Sequence, residues 1–209
     1  MIAMIALVNS FGSLTTSAYG ACLQLWTYIQ MPGFAVGMAV SSMAAQNVGA
    51  GKWDRVHRVA MTGVGFNFLL TGALVLIVYL FNRHALGLFL PTGSPALAIA
   101  GQINVIVVWS YLFFGVTFVL GGVIRSTGAV IPPLIILFVA MWLVRIPFAY
   151  ALVPYWNENA IWWSFPLGSL VSMLLSIGYY RYGRWRSVRM LRPAPSVSPN
   201  ANARPADAT

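Results

Sequence analysis

The sequence predicts an all-α membrane protein, a polytopic bundle of transmembrane helices, and three observations carry that prediction. Of the 209 residues, 59% are hydrophobic and only 7% charged, with a mean hydropathy of +0.79. A typical soluble domain carries about a quarter charged residues, so a water-exposed fold of this size has too little polar surface available. Apolar runs long enough to cross hydrocarbon, about 20 residues, recur along the chain. The charged residues fall in short clusters between those runs.

Taken in order, the first element is a stub over 1–9, too short to span, closed by a turn-like Gly12-Ser13-Leu14-Thr15-Thr16-Ser17. It begins apolar with no basic leader region, and it reads as the tail of a truncated first helix, not as a cleaved signal peptide. The second span covers 18–45 and is broken by Asn47, Gly49, Gly51 and Lys52, after which 53–58 reads as a charged loop. The third covers 59–81 and ends at Asn82, Arg83 and His84. A link containing Pro91 and Pro95 precedes the fourth, 98–124, which stops at Arg125-Ser126-Thr127-Gly128. The fifth starts at Pro132-Pro133, where proline suits a helix beginning, and runs to 153. A polar turn over 154–159 leads to the last span, 160–180. The expectation is five full spans plus the truncated helix, a bundle over 1–186 and a disordered cytoplasmic tail over 187–209.

Loop charge sets an orientation. One side receives Lys52, Arg55, Arg58, Arg125, Arg181, Arg184, Arg186, Arg189 and Arg192, and the other receives Arg83, His84 and Glu158. The positive-inside rule then places the basic side, with the C-terminus, in the cytoplasm of a cell's inner (plasma) membrane. The same clustering accounts for the net charge of +9 without nucleic acid. Cys22 lies alone in an apolar run and supports no disulfide framework.

Few residues carry chemistry. In the second span Gly33, Gly37, Ser41 and Ala45 recur every four residues, a stripe that admits a close helix neighbour, and Gln30 shares that face. Pro32 removes a helical N–H and permits a kink. The stripe serves packing, or forms a polar, flexible wall beside a substrate path. Asn67 and Thr71 are an i, i+4 pair; Asn104, Tyr111, Gly115 and Gly122 share one face of the fourth span. These polar groups serve interhelical hydrogen bonds or line a cavity. Arg145 lies nine residues before Pro154, roughly 13 Å of helix and therefore deep. The only acids are Asp54, Glu158 and Asp207, none placed to meet it, so it uses backbone carbonyls, water or a group outside this chain. No embedded Asp, Glu or His is present to hold a coupling ion, no residues show metal-ligand spacing, and no nucleophile has a base nearby; no enzyme activity and no cofactor are expected.

Several segments together resemble a known family. Met31-Pro32-Gly33 leads into Ala45-Gln46-Asn47-Val48-Gly49-Ala50-Gly51-Lys52, similar to the proline helix and GQN-x-GAG turn of the MATE family of multidrug and toxic compound extrusion transporters, with Ala45 standing where glycine is usual. Leu120 to Gly128 resembles the family's Gly-x-x-Arg-x-x-Gly helix ending, and Arg145-Ile146-Pro147-Phe148-Ala149-Tyr150 its R-x-P-x-A-Y segment. Asn9-Ser10-Phe11-Gly12 and Ala18-Tyr19-Gly20 fit the region ahead of the proline helix. Ala129 stands where Asp is frequent.

The resemblance covers the family's second half. It implies one lobe of a two-lobe transporter, exporting amphipathic or cationic compounds against H⁺ or Na⁺, with the coupling ion not bound by an acid of this chain. The implied partners are the lipid bilayer, small-molecule substrates and the missing N-terminal lobe. Gln30, Asn67, Asn104 and Tyr111 are the cavity candidates, and Pro32, Gly33, Gly37, Arg125, Arg145 and Pro147 the structural or gating candidates. The alternatives are a lipid-linked oligosaccharide flippase of the wider superfamily, which more basic residues facing a cavity would favour where only Arg145 is available, and a structural membrane subunit that pairs with a separate lobe.

Overall fold

A computed structural model describes residues 2–91 and 93–187, and the tail expected over 187–209 lies, beyond Ser187, outside them. The chain folds as α1 (Ile2–Asn9), α2 (Ser13–Gly49), α3 (Trp53–Leu80), α4 (Asn82–Gly87), α5 (Pro95–Val107), α6 (Ser110–Arg125) and α7 (Ile131–Phe138). A π-helical segment (Val139–Arg145), α8 (Ile146–Trp156), α9 (Asn159–Tyr182) and a short 3₁₀ turn (Arg184–Ser187) complete it. By length and apolarity, three stretches can each cross a membrane: α3, the continuous 131–156 helix and α9. The bent pair α5–α6 makes a fourth. With 37 residues α2 has ample length, but Gln24, Gln30, its glycines and its hydroxyl residues make it less apolar than these.

The surface is that of a lipid-solvated protein. Leu69, Leu76, Ile77 and Leu80 of α3, and Ile131, Leu134, Phe138 and Trp142 further on, are exposed, whereas Asn67, Thr71, Asn104, Ser110, Thr117, Ser164 and Ser172 are buried. Polar groups turn inward because hydrocarbon offers them no partner.

Two apolar clusters occupy the two ends of the bundle. One gathers Met4, Tyr19, Trp26, Leu86, Leu97, Ile103 and Trp162 from α1, α2, α4, α5 and α9. The other gathers Val40, Val56, Val119, Ile124, Tyr180 and Trp185, at the end that carries Lys52, Arg55, Arg58, Arg125 and Arg184.

Three expectations are corrected. The segment 53–58 is not a loop but the first turns of α3. Asp54 there complements the positive end of the helix dipole. Val56 turns into the core, Trp53 meets the Trp185 ring edge-on at 6.2 Å, and His57 Nδ1 pairs with the Tyr180 hydroxyl at 3.0 Å. Similarly, residues 13–17 begin α2 instead of forming a turn: Gly12 makes the reversal at φ 101°, and Thr16 Oγ1 donates back to the Gly12 carbonyl at 3.0 Å. The expected single span over 98–124 is two helices bent by 48° at residues 108–109. The break follows Val105-Ile106-Val107-Val108, four consecutive β-branched residues that crowd a helical turn.

The reversals at the basic end need glycine. Gly51 (φ 69°) follows α2 and Gly128 (φ 91°) follows α6, a backbone region that side chains with a Cβ rarely enter.

Candidate functional site: a mid-span cavity around Arg145

The helix over 131–156 changes winding in its middle. Pro147 has no N–H, and its ring crowds the carbonyl of residue 143, four positions back. The chain responds by widening: Ile146 N–H bonds to the Met141 carbonyl, five residues back, and Val139–Arg145 is π-helical. Such widened turns are frequent at functional sites. Here the widened segment ends at Arg145, 11 residues before the Trp156 end of the span, or about 16 Å of helix rise.

Arg145 points between helices. Its Cζ lies 3.3 Å from the centroid of the Phe165 ring on α9, a stacked cation–π contact. Its Nε is buried and has no hydrogen-bond partner. The backbone approaches this closely because α9 carries Gly168 there: a methyl group at Gly168 would stand 3.3 Å from Arg145 Cβ and 3.4 Å from the Ala140 carbonyl oxygen. Among the described residues no carboxylate forms an ion pair with Arg145; Glu158 instead accepts from Thr15 Oγ1 at 3.5 Å.

The guanidinium opens into a cavity of about 190 Å³, lined by Tyr19, Leu23 and Gln30 of α2, Ser110, Tyr111 and Phe114 of α6, Met141, and Phe165 and Ser169 of α9. A second void of about 290 Å³ continues past Phe114, Met141, Arg145, Phe165 and Ser169 to Gly168 and Ser172. Thr117 Oγ1 and Ser172 Oγ are 3.1 Å apart at its edge. Aromatic rings brace the wall: Trp26 lies 5.3 Å from Phe165 and 6.1 Å from Tyr111, and Tyr19 lies 6.3 Å from Phe165. A wider, open groove of about 930 Å³ between Phe113, Phe148, Tyr155, Trp156, Trp163 and Leu170 has no charged side chain in its lining.

The sequence-expected residues separate into two groups. Gln30, Tyr111 and Arg145 meet at the cavity. Asn104 does not line it: Asn104 Oδ1 accepts from Trp26 Nε1 at 2.7 Å, and Asn104 Nδ2 donates to Asn82 Oδ1 at 2.9 Å. Asn82 in turn donates to the Gly101 carbonyl at 3.0 Å, so the amide belongs to an internal chain of hydrogen bonds. Asn67 is wedged in the α2–α3–α6 contact. A Cβ on Gly115 would collide with its Nδ2, one on Gly33 would lie 3.4 Å from its Oδ1, and Nδ2 has no acceptor. Gly37 packs equally tightly on Gly122, where an added Cβ would stand 2.8 Å from the Gly37 carbonyl oxygen. The small-residue stripe is thus a packing surface on α6 through Gly33, Gly37 and Ser41, and Ala45 is exposed. Pro32 sits within α2 and is half-buried beside the stripe. Arg125 lies 5.3 Å from the Phe118 ring, away from the cavity. Tyr19, Phe165, Ser110 and Ser169 join the site without a distinguishing mark in the sequence; their one signal is a polar or aromatic residue inside an apolar span.

Comparison with known proteins agrees with this architecture. A family model described as MatE matches residues 1–151. The chain is 37% identical over 193 residues to the probable multidrug resistance protein YoeA of Bacillus subtilis, covering 91% of this chain and 41% of that protein. It is 32% identical over 190 residues to the probable multidrug resistance protein YpnP of the same organism, with 91% and 42% covered. A solved outward-facing multidrug resistance MATE family transporter of the MOP superfamily superimposes with a TM-score of 0.81 at 14% identity, over 90% of this chain and 42% of that one. A crystal structure of MATE in complex with MaL6 superimposes with a TM-score of 0.79 at 16% identity, over 90% of this chain and 43% of that one. The chain spans about two fifths of the length of the curated relatives it matches. With a matching family model over most of its length and a helical membrane fold shared with solved members, this multi-pass membrane chain belongs to the MATE family.

Proposed function

We propose that the chain forms one lobe of a secondary multidrug efflux transporter, which exports amphipathic organic compounds by antiport with H⁺ or Na⁺ and performs no enzymatic chemistry. The observation that carries this reading is the mid-span cavity, where Gln30, Tyr19, Tyr111 and Arg145 converge inside a bundle whose outer face is apolar. Transporter sites lie near the bilayer midplane at the junction of two bundles, where broken or rewound helices present polar groups. The π segment supplies such a rewound helix. A second lobe supplies the opposing wall, in keeping with the share of the relatives that this chain spans. The coupling cation binds there or at the lobe junction, because among the described residues the acids Asp54 and Glu158 lie at the ends of the helices. The basic end faces the cytoplasm of the inner membrane by the positive-inside rule.

The test is efflux of norfloxacin, an amphipathic zwitterion that carries a carboxylate, from a pump-deficient bacterial host. Expression of this chain alone gives no efflux, and co-expression with the six-helix N-terminal half of a relative such as YoeA restores it in a manner abolished by collapsing the ion gradient. Efflux from this chain alone would overturn the one-lobe reading. Absence of gradient-dependent efflux with every complementary half and substrate tried would overturn the transport reading.

A further inference from the structure

Among the described residues no acidic side chain pairs with the charge of Arg145. A cation buried in a low-dielectric interior is strongly disfavoured unless paired, and the membrane interior sharpens that penalty. The Phe165 ring, 3.3 Å away, contacts one face of the guanidinium. Stacking of that kind attracts the cation without using its in-plane N–H groups, and Nε is buried without an acceptor. A guanidinium held by its face presents its edge, a fixed fork whose spacing matches the two oxygens of a carboxylate. The edge is not filled from within the chain: among the described residues no carboxylate reaches it, and an arginine-lined cavity of about 190 Å³ lies beside it. The remaining wall is aromatic and hydroxylic, with Tyr19, Tyr111, Phe114 and Ser169 around the void.

We propose that this cavity is a receptor for the carboxylate of a small aromatic acid, with the Arg145 fork holding the carboxylate and the Tyr19, Tyr111 and Phe114 rings holding the ring of the ligand. The inference rests on reading the cavity as a substrate site, and it narrows the substrate class to compounds that carry an anionic group. The Tyr111 hydroxyl adds a neutral hydrogen-bond donor to the charged one, while the Gln30 amide nitrogen, also at the cavity, donates to the Trp26 carbonyl at 3.3 Å. A cationic compound meets repulsion from Arg145 at this position. Its test measures binding and not transport, so its failure is distinguishable from that of the efflux reading.

The experiment uses the full 209-residue chain, purified in nonionic detergent, with 4-fluorobenzoate as the probe followed by ¹⁹F ligand-observed NMR. Its neutral and cationic counterparts, 4-fluorobenzyl alcohol and 4-fluorobenzylammonium, are the comparators. The expected result is saturable binding of the carboxylate at least tenfold tighter than of either comparator. Arg145→Gln weakens it more than tenfold, Arg145→Lys weakens it less because the charge remains while the fork is lost, and Tyr111→Phe weakens it a few-fold. Near-UV circular dichroism of each variant checks folding. If Arg145→Gln does not fold, the Lys and Phe variants decide. Equal binding of the alcohol and the carboxylate overturns the proposal, as does carboxylate affinity unchanged in every folded variant.

Discussion

Gly168 of α9 and Arg145 of the π segment are in such close contact that a methyl group on Gly168 would stand 3.3 Å from Arg145 Cβ. The contact fixes where the guanidinium sits, because the same methyl would press on the Ala140 carbonyl oxygen at 3.4 Å. Gly168→Val should therefore push the segment outward and cost about 1–3 kcal/mol, the range for overpacking a well-filled interior. Gly178 lies on the same helix with nothing near its Cβ direction. Gly178→Ala should stabilise by about 0.5–1 kcal/mol through reduced backbone freedom. Thermal unfolding in detergent, followed by intrinsic fluorescence, reads both; shifts of the same sign and size at the two sites would refute the contact.

The Asn67–Gly115 contact offers a cleaner pairwise test. Gly115→Ala places a methyl group on the Asn67 amide, so the single variant is expected to lose about 1–3 kcal/mol. Asn67→Ala removes the obstruction together with a buried, unpartnered N–H donor. The double variant should then recover much of the loss, giving a coupling energy above about 0.5 kcal/mol in a double-mutant cycle. Strict additivity of the two changes would show that the residues do not meet.

The hydrogen-bond chain from Trp26 through Asn104 to Asn82 predicts a different asymmetry. Asn104→Leu strands the Trp26 indole N–H, which now donates to Asn104 Oδ1 at 2.7 Å inside a fully buried environment. Leaving such a donor unpaired costs about 1–3 kcal/mol. Trp26→Phe removes donor and hydrogen bond together, and adding it to Asn104→Leu should cost less than it does alone in the wild-type chain. Thermal midpoints of the four proteins, compared under one detergent condition, give the answer.

Each feature is legible in the sequence only as far as the physical signal it leaves there. Spans are long-range averages of hydropathy, so α3, the 131–156 helix and α9 are visible from sequence with ends misplaced by a few residues. Trp53 to Arg58 reads as a loop because it is charged, yet Trp53, Val56 and His57 make contacts with the neighbouring helix end while Asp54, Arg55 and Arg58 stay exposed. The 48° bend between α5 and α6 has no proline or glycine at the break to announce it. Gln30, Tyr111 and Arg145 stand out because a polar group in an apolar span is conspicuous. Their convergence with Tyr19 and Phe165 leaves no such mark, since it depends on which faces of α2, α6 and α9 meet. Asn104 shows the limit of that signal: the same conspicuousness marks a hydrogen-bonded structural amide.

The π segment gives the last prediction. Its widened hydrogen bond, Ile146 N–H to Met141 O, accompanies the missing N–H of Pro147. Pro147→Ala restores that donor and removes the ring that crowds residue 143, so the turn can close to the ordinary 3.6 residues. Losing one residue of winding rotates the N-terminal part of the span by about 100° relative to its C-terminal part. Arg145 sits at the junction and would swing from the cavity toward the neighbouring helix face. Cys22 is buried and is the only cysteine in the chain, so Cys22→Ala gives a clean background. In that background Arg145→Cys should react with a small water-soluble thiol reagent, and adding Pro147→Ala should slow the reaction several-fold. An unchanged rate would mean that the position of residue 145 is set by packing on Gly168 alone and owes nothing to the proline.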